Sequence, residues 1–271
     1  MLLENFWPNG ARIAICLTFD NMGAAFDILR YGNSNGIASE GNYALYRGAP
    51  RIMDICDTYD IKTTFFVEGW NGENNPEILQ EMIGRGHVVA GHGWMHEDWS
   101  RLAPEEERKL MEQSTNTIEK ATGIHPTGWR GPGGGMTSNT LSYLQEFGYQ
   151  YDSSFMDDDI PYLMKLRGHS IDLVQLPFSW QLDDAMYYSH SLHTPMEPFH
   201  VLDIWKEEFD FAYEETGYYM LCCHPRFTGR TVRSRVLEKL IQYIRGFEGI
   251  WFARCDEVAG WLREQSDEMG V

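Results

Sequence analysis

The chain has 271 residues, 43% of them hydrophobic, enough to fill the core of one large domain. Its 22 Lys and Arg against 40 Asp and Glu leave a net charge of −18, a surface that repels phosphate backbones and anionic lipid heads and argues against nucleic acid or membrane as partner. No apolar run is long enough to span a bilayer and no basic-then-apolar leader opens the sequence, so the expectation is a cytoplasmic protein with a single domain over 1–271.

In chain order, short apolar or β-branched runs alternate with longer stretches of helical period, the pattern of parallel strands joined by crossover helices. Strands are expected at 12–19, 62–67, 87–91, 126–130, 149–153, 172–178, 218–223 and 249–254. After the first comes an irregular region, 31–48, whose length suits a binding loop, a lid or a plain connector. Ile52, Ile55, Cys56 and Tyr59 then fall at helical spacing behind Pro50. Ile78, Leu79, Met82 and Ile83 do the same before the glycines that follow them. The segment 103–123 opens with Pro and three glutamates, where the helix dipole favours negative charge, and closes at Lys120 and Gly123. Leu237, Leu240, Ile241 and Ile244 form a last apolar stripe. The five cysteines, Cys16, Cys56, Cys222, Cys223 and Cys255, sit mostly inside apolar runs and read as reduced core thiols.

The polar residues cluster at one kind of position. In a parallel β/α barrel the carboxyl ends of the strands build the active site, and here those ends carry Asp20, Glu68, His92 with His96, Arg130, Asp152 and His224. Asp is a common helix cap, but His and Arg are poor ones. Two imidazoles one helical turn apart project from the same side and can share a cation; taken alone, the spacing equally describes packing or capping histidines. An oxygen donor from Asp20 or Asn21 tips the balance toward a metal if strand 1 lies beside strand 3. Trp70, Trp94, Trp99 and Trp129 lie near strand ends and suit either pocket walls or core.

The segments "LTFDN" (17–21), "HGWMH" (92–96), "RGPGG" (130–134), "YDSS" (151–154) and "LCCHP" (221–225) resemble, in order and spacing, the five motifs of the polysaccharide deacetylase family, also called the NodB-homology type. The resemblance runs from about Ile13 to Leu262 and implies a distorted (β/α) barrel of about seven or eight mainly parallel strands that hydrolyses acetamide-type C–N bonds with a divalent metal ion. It implies Asp20 as general base, Arg130 as the arginine that orients it, His224 as general acid, and His92 and His96 as metal ligands. The stretches 173–188 and 224–241 are similar to the branch holding cytoplasmic peptidoglycan-deacetylase-like proteins, cyclic imide hydrolases and allantoinase-like enzymes.

The sequence departs from that family where a second aspartate is usual: Asn21 and Met22 stand there. Asn21 can ligate through its neutral carbonyl oxygen, at the cost of one negative charge. Three glycines in "RGPGGGMTS" open space beside the site. The expectation is therefore a metal-dependent hydrolase of a small cyclic imide, ureide or related amide, using zinc or a similar first-row metal at His92, His96 and Asn21. The alternatives are an N-deacetylase of an acetamido sugar or glycan, and a metal-free ligand-binding pseudoenzyme. The partner is a small-molecule or sugar amide, and a homo-oligomer is expected.

Overall fold

The computed structural model describes residues 6–269 apart from Arg167 and His193. Its centre is one nine-stranded sheet in the order β6-β7-β5-β4-β3-β2-β1-β8, with β9 also pairing with β1. The strands are β1 (Ile13–Asp20), β2 (Thr64–Val67), β3 (Val88–Gly91), β4 (Gly128–Trp129), β5 (Tyr151–Asp152), β6 (Tyr162–Leu166), β7 (His169–Gln175), β8 (Tyr218–Cys223) and β9 (Ile250–Phe252). All pairings are parallel except β6 with β7. This is the expected distorted barrel. The one unforeseen strand, β6, is half-buried at the sheet edge, where neither strict alternation nor a continuous apolar run marks it.

Parity along the strands decides which side chains meet. On β1, Ile13, Ile15, Leu17 and Phe19 join the core beneath the helices, with Ile52, Met53, Leu237 and Leu240. The alternate residues Ala14 and Cys16 join a second, inner core with Phe66 of β2, Ala90 of β3 and Met220 and Cys222 of β8. Continuing the inner rows in steps of two reaches Glu68, His92 and His224 directly, and on β1 reaches Asp20 through Thr18. The strand ends thus deliver their polar groups to one rim because the hydrophobic rows below them are in register.

Strand 1 does not lie beside strand 3; β2 separates them, and β1 pairs instead with β2, β8 and β9. In a flat sheet, β1 and β4 would stand about 14 Å apart across three strand spacings. Arg130, just beyond β4, nonetheless reaches Asp20 at 2.9 Å. Curling of the sheet, rather than adjacency, closes that gap.

The helices expected in the sequence form at Ala49–Thr58, Pro76–Gly84, Pro104–Thr122 and Thr231–Ile244. Two long ones absent from that reading are Pro198–Phe211, whose Glu197 side chain accepts from His200 N–H, and Cys255–Met269. The region 31–48 is not irregular: it winds through helical turns at Gly36–Ser39, Glu40–Tyr43 and Ala44–Gly48. All five cysteines are free and buried, as expected. Among the described residues no helix is long and apolar enough to cross a membrane.

Candidate active site

Asp20 ends β1 and is almost fully buried. Its Oδ1 accepts from Arg130 Nη1 at 2.9 Å, and its Oδ2 lies 3.5 Å from Cys222 Sγ and 4.0 Å from His92 Nε2. Burial alone would raise the carboxyl's pKa, but the Arg130 guanidinium, with His92 and His224, overrides it and holds the group below its ordinary value. Asp20 is therefore ionised at neutral pH. Arg130 has little freedom: Nε donates to Ser153 O, Nη2 to Ser153 Oγ, and Nη1 to Thr18 Oγ1 as well as to Asp20. Its cationic plane lies 4.1 Å from the Phe66 ring centroid.

His92 Nδ1 donates to Arg130 O at 2.8 Å, which sets the tautomer and leaves Nε2 as the acceptor. That Nε2 is buried without a partner. Burial lowers the pKa of both His92 and His96, so both imidazoles are neutral and their lone pairs available. The two rings stand 5.0 Å apart in a T-shaped arrangement. No helical turn brings them together, contrary to the expectation from their spacing. The chain from His92 to Asp98 is irregular, and the approach depends on left-handed backbone at Gly93 (φ 73°) and His96 (φ 69°). A non-glycine residue in that region stores strain, a feature concentrated at functional sites. Asn21 is the second such residue here, at φ 61°, and its Oδ1 is also buried without a partner.

Across the rim, His224 follows β8. Its Nδ1 donates to Asp184 Oδ1 at 2.7 Å and lies 3.7 Å from Asp183 Oδ1. Desolvation acts to lower its pKa, but the two carboxylates outweigh it and raise the group to about 9. It is an imidazolium at neutral pH. Asp184 is held in turn by N–H groups of His224 and Thr228 and by the Thr228 hydroxyl. Asp183, Cys222 and His224 form a trio of ligand-type atoms within 4.8 Å of one another. A cation there would compete with a protonated imidazole already held by two carboxylates, so this trio reads as a proton-bearing ion pair.

Asp20, Asn21, His92, His96, Arg130 and His224 all line one pocket of about 350 Å³, so the six residues expected to carry catalysis or metal binding converge. Gly131, Gly133 and Gly134 form part of its wall, as the glycine run suggested; a Cβ on Gly131 would meet Gly135 O at 2.2 Å. The four candidate tryptophans do not line it: Trp99 and Trp129 pack in a core cluster, and the aromatic walls are Phe26, Phe178, Trp180 and Phe227. Asp152 sits below, both oxygens bonded to Ser154, its pKa raised to about 6 by burial. Glu68 is fully buried and outside the pocket lining, and burial raises it to about 7.

Whether these residues fit a divalent cation can be judged from their donors. Two neutral acceptors, His92 Nε2 and Asn21 Oδ1, are buried without partners. His96 and Asp20 line the same space. Nitrogen and oxygen donors left unpaired in this way suit a first-row divalent ion.

Sequence reasoning missed Asp183 and Asp184. Their "DD" lies on a turn with no periodicity, and nothing local shows that it faces a histidine forty positions later. Trp180 and Phe26 were equally invisible, since their roles depend on how loops fold over the rim.

A model of polysaccharide deacetylases matches residues 9–151. A peptidoglycan deacetylase of Helicobacter pylori is 27% identical over 250 residues, covering 82% of this chain and 85% of that protein. A crystal structure from Mycobacterium smegmatis, of the polysaccharide deacetylase type, superposes with a TM-score of 0.89 at 31% identity, covering 96% of this chain and 93% of the other. The allantoinase PuuE shares the fold at TM-score 0.86 and 23% identity, covering 97% and 94%. The family match takes in Asp20, His92, His96 and Arg130, and the structural match extends over nearly the whole chain. Together they establish that the chain belongs to the polysaccharide deacetylase family, whose members hydrolyse amide C–N bonds other than peptide bonds.

Proposed function

We propose that the protein removes the acetyl group from an N-acetylated amino sugar or a short glycan containing one. The observation that carries this reading is the opposition of an ionised Asp20 and a protonated His224 across one pocket. Amide hydrolysis needs that pair of protonation states: a base to take a proton from water, and an acid to give one to nitrogen.

In this reading the substrate carbonyl lies between His92 and His224. Asp20, fixed by Arg130, accepts the proton of the attacking water. His224, fixed by Asp184, donates its proton to the departing amine, which is otherwise too basic to leave. Asp183 and Asp184 keep that proton on the imidazole at neutral pH. His92, His96 and Asn21 would hold a divalent cation, zinc or a similar ion. When bound, such an ion polarises the carbonyl and makes water more acidic. The phenyl walls and the half-exposed Trp180 offer faces on which a sugar ring can stack.

A second reading, ring opening of a small cyclic imide or ureide, draws support from the pocket itself. Its volume suits a small molecule, and Phe26, Phe178, Met186, Leu192 and Phe227 give it largely apolar walls. Acetate released from chito-oligosaccharides, measured beside ring opening of succinimide, hydantoin and allantoin, tests both. Acetate release is the expected result; turnover of the cyclic compounds without acetate release would transfer the assignment to the second reading.

A further inference from the structure

Three buried acceptor atoms end without partners just beyond three adjacent strands: Asn21 Oδ1 after β1, Glu68 Oε1 after β2 and His92 Nε2 after β3. The middle one belongs to a group that the proposed reaction does not use. Four carboxylates among the described residues are completely buried: Glu68, Glu107, Asp152 and Asp184. Glu107 binds Trp99, Thr137 and Thr140, Asp152 uses both oxygens on Ser154, and Asp184 holds His224 and Thr228. Only Glu68 among them leaves an oxygen unbonded, and no cation lies within ion-pair distance among the described residues.

Its other oxygen is specifically placed. Oε2 accepts from Met22 N–H at 3.2 Å and from Asn71 Nδ2 at 2.9 Å. Met22 directly follows Asn21, so Glu68 braces the turn that puts Asn21 into its left-handed conformation. Charge makes the arrangement more than a brace. Asp20 is matched by Arg130 at 2.9 Å, and His92, His96 and Asn21 are neutral donors. A dication held by those three would have no carboxylate among its ligands, and the carboxylates of the rim are already engaged, Asp20 by Arg130 and Asp183 and Asp184 by His224, although sites of this kind normally include one.

We propose that Glu68 supplies, from behind the ligand turn, the negative charge that a divalent cation at His92, His96 and Asn21 requires, in place of the carboxylate that position 21 lacks. The proposal rests on the metal reading of the site. Glu68 acts as a charge behind the ligands and not as a further ligand, since it does not line the pocket that Asn21, His92 and His96 share. Its influence passes through a low-dielectric interior, where charges interact far more strongly than in water.

The test is calorimetric titration of the chelator-treated full chain with zinc ion, which reads affinity without reference to any substrate. Glu68→Gln should weaken zinc binding at least tenfold while its circular dichroism stays that of the parent. Adding Asn21→Asp to it should restore affinity to within about threefold, because aspartate tolerates the same left-handed backbone and returns the charge. Glu68→Met, which removes the charge with a side chain of similar size, should match Glu68→Gln and serves if the amide disturbs the turn. Unchanged zinc affinity in both Glu68 variants, a double variant no tighter than Glu68→Gln, or a parent protein that takes up no zinc would each overturn the proposal. Acetate release plays no part in this titration, so failure of the deacetylase reading and failure of this one are told apart.

Discussion

The two sides of the pocket use opposite charge arrangements. On the base side one anion, Asp20, faces one guanidinium, and the pair sits among neutral imidazoles. On the acid side one cation, His224, faces two carboxylates. The base side therefore keeps a carboxylate ionised against burial, and the acid side keeps an imidazole protonated against burial. In each case the neighbouring opposite charge decides, because burial alone would neutralise both groups. Two buried groups with their pKa values driven apart are what acid–base chemistry at neutral pH demands.

That comparison can be broken one side at a time. The largest effect is expected from Asp20→Asn, which removes the base and leaves Arg130 a buried unpaired cation. Initial rates of acetate release should fall by about 10³-fold or more. His224→Gln should lower the rate by roughly 10²- to 10³-fold, with the deficit smallest for substrates whose leaving amine is least basic.

Asp184→Asn removes one of the two carboxylates that hold the proton. In the parent, kcat/KM should fall as pH rises through about 9, where His224 loses its proton. In the variant that alkaline limb should move to lower pH, toward the ordinary histidine value near 6.5. The pH profile measures this directly, and an unmoved limb would mean that a different group donates the proton.

A smaller effect, on stability, is expected at Glu68. Its folded pKa of about 7 lies above the unfolded carboxyl value, so the folded state binds its proton more tightly than the unfolded chain does. Protonated Glu68 is compatible with burial below the unfolded value, and stability declines as pH rises through the folded one. Glu68→Gln should accordingly stabilise the metal-free protein by about 3 kcal/mol at pH 8, with little effect at pH 4. Denaturant midpoints at the two pH values check the sign. The least effect is expected from Cys222→Ser: Cys222 touches Asp20 at 3.5 Å, but a hydroxyl replaces a weak thiol donor, and rates should change less than about threefold.

The base side was legible in the sequence and the acid side only in part, for a physical reason. Asp20 ends a strand and His92, Arg130 and His224 each follow one directly, so inner-row parity and the barrel's geometry predict where they point. Asp183 and Asp184 hang on the turn after β7, and their meeting with His224 depends on how that turn crosses the rim. The same limit explains the tryptophans, where proximity to a strand end does not distinguish wall from core. His92 and His96 meet for a reason other than the one their spacing suggests, since two left-handed residues do the work assigned to a helical turn. The helix at Pro198–Phe211 carries readable signals: Pro198 at its start and Val201, Leu202, Trp205 and Phe209 on its buried face. The antiparallel strand β6 carries none.

The most direct measurement is anomalous scattering from crystals of the protein soaked with zinc ion. The account predicts one strong peak at about 2.1 Å from His92 Nε2, with His96 and Asn21 as its neighbours and Asp20 and His224 on either side of the space before it. A peak held instead by Asp183, Cys222 and His224 would contradict it, because that position takes over the imidazole that must carry the proton.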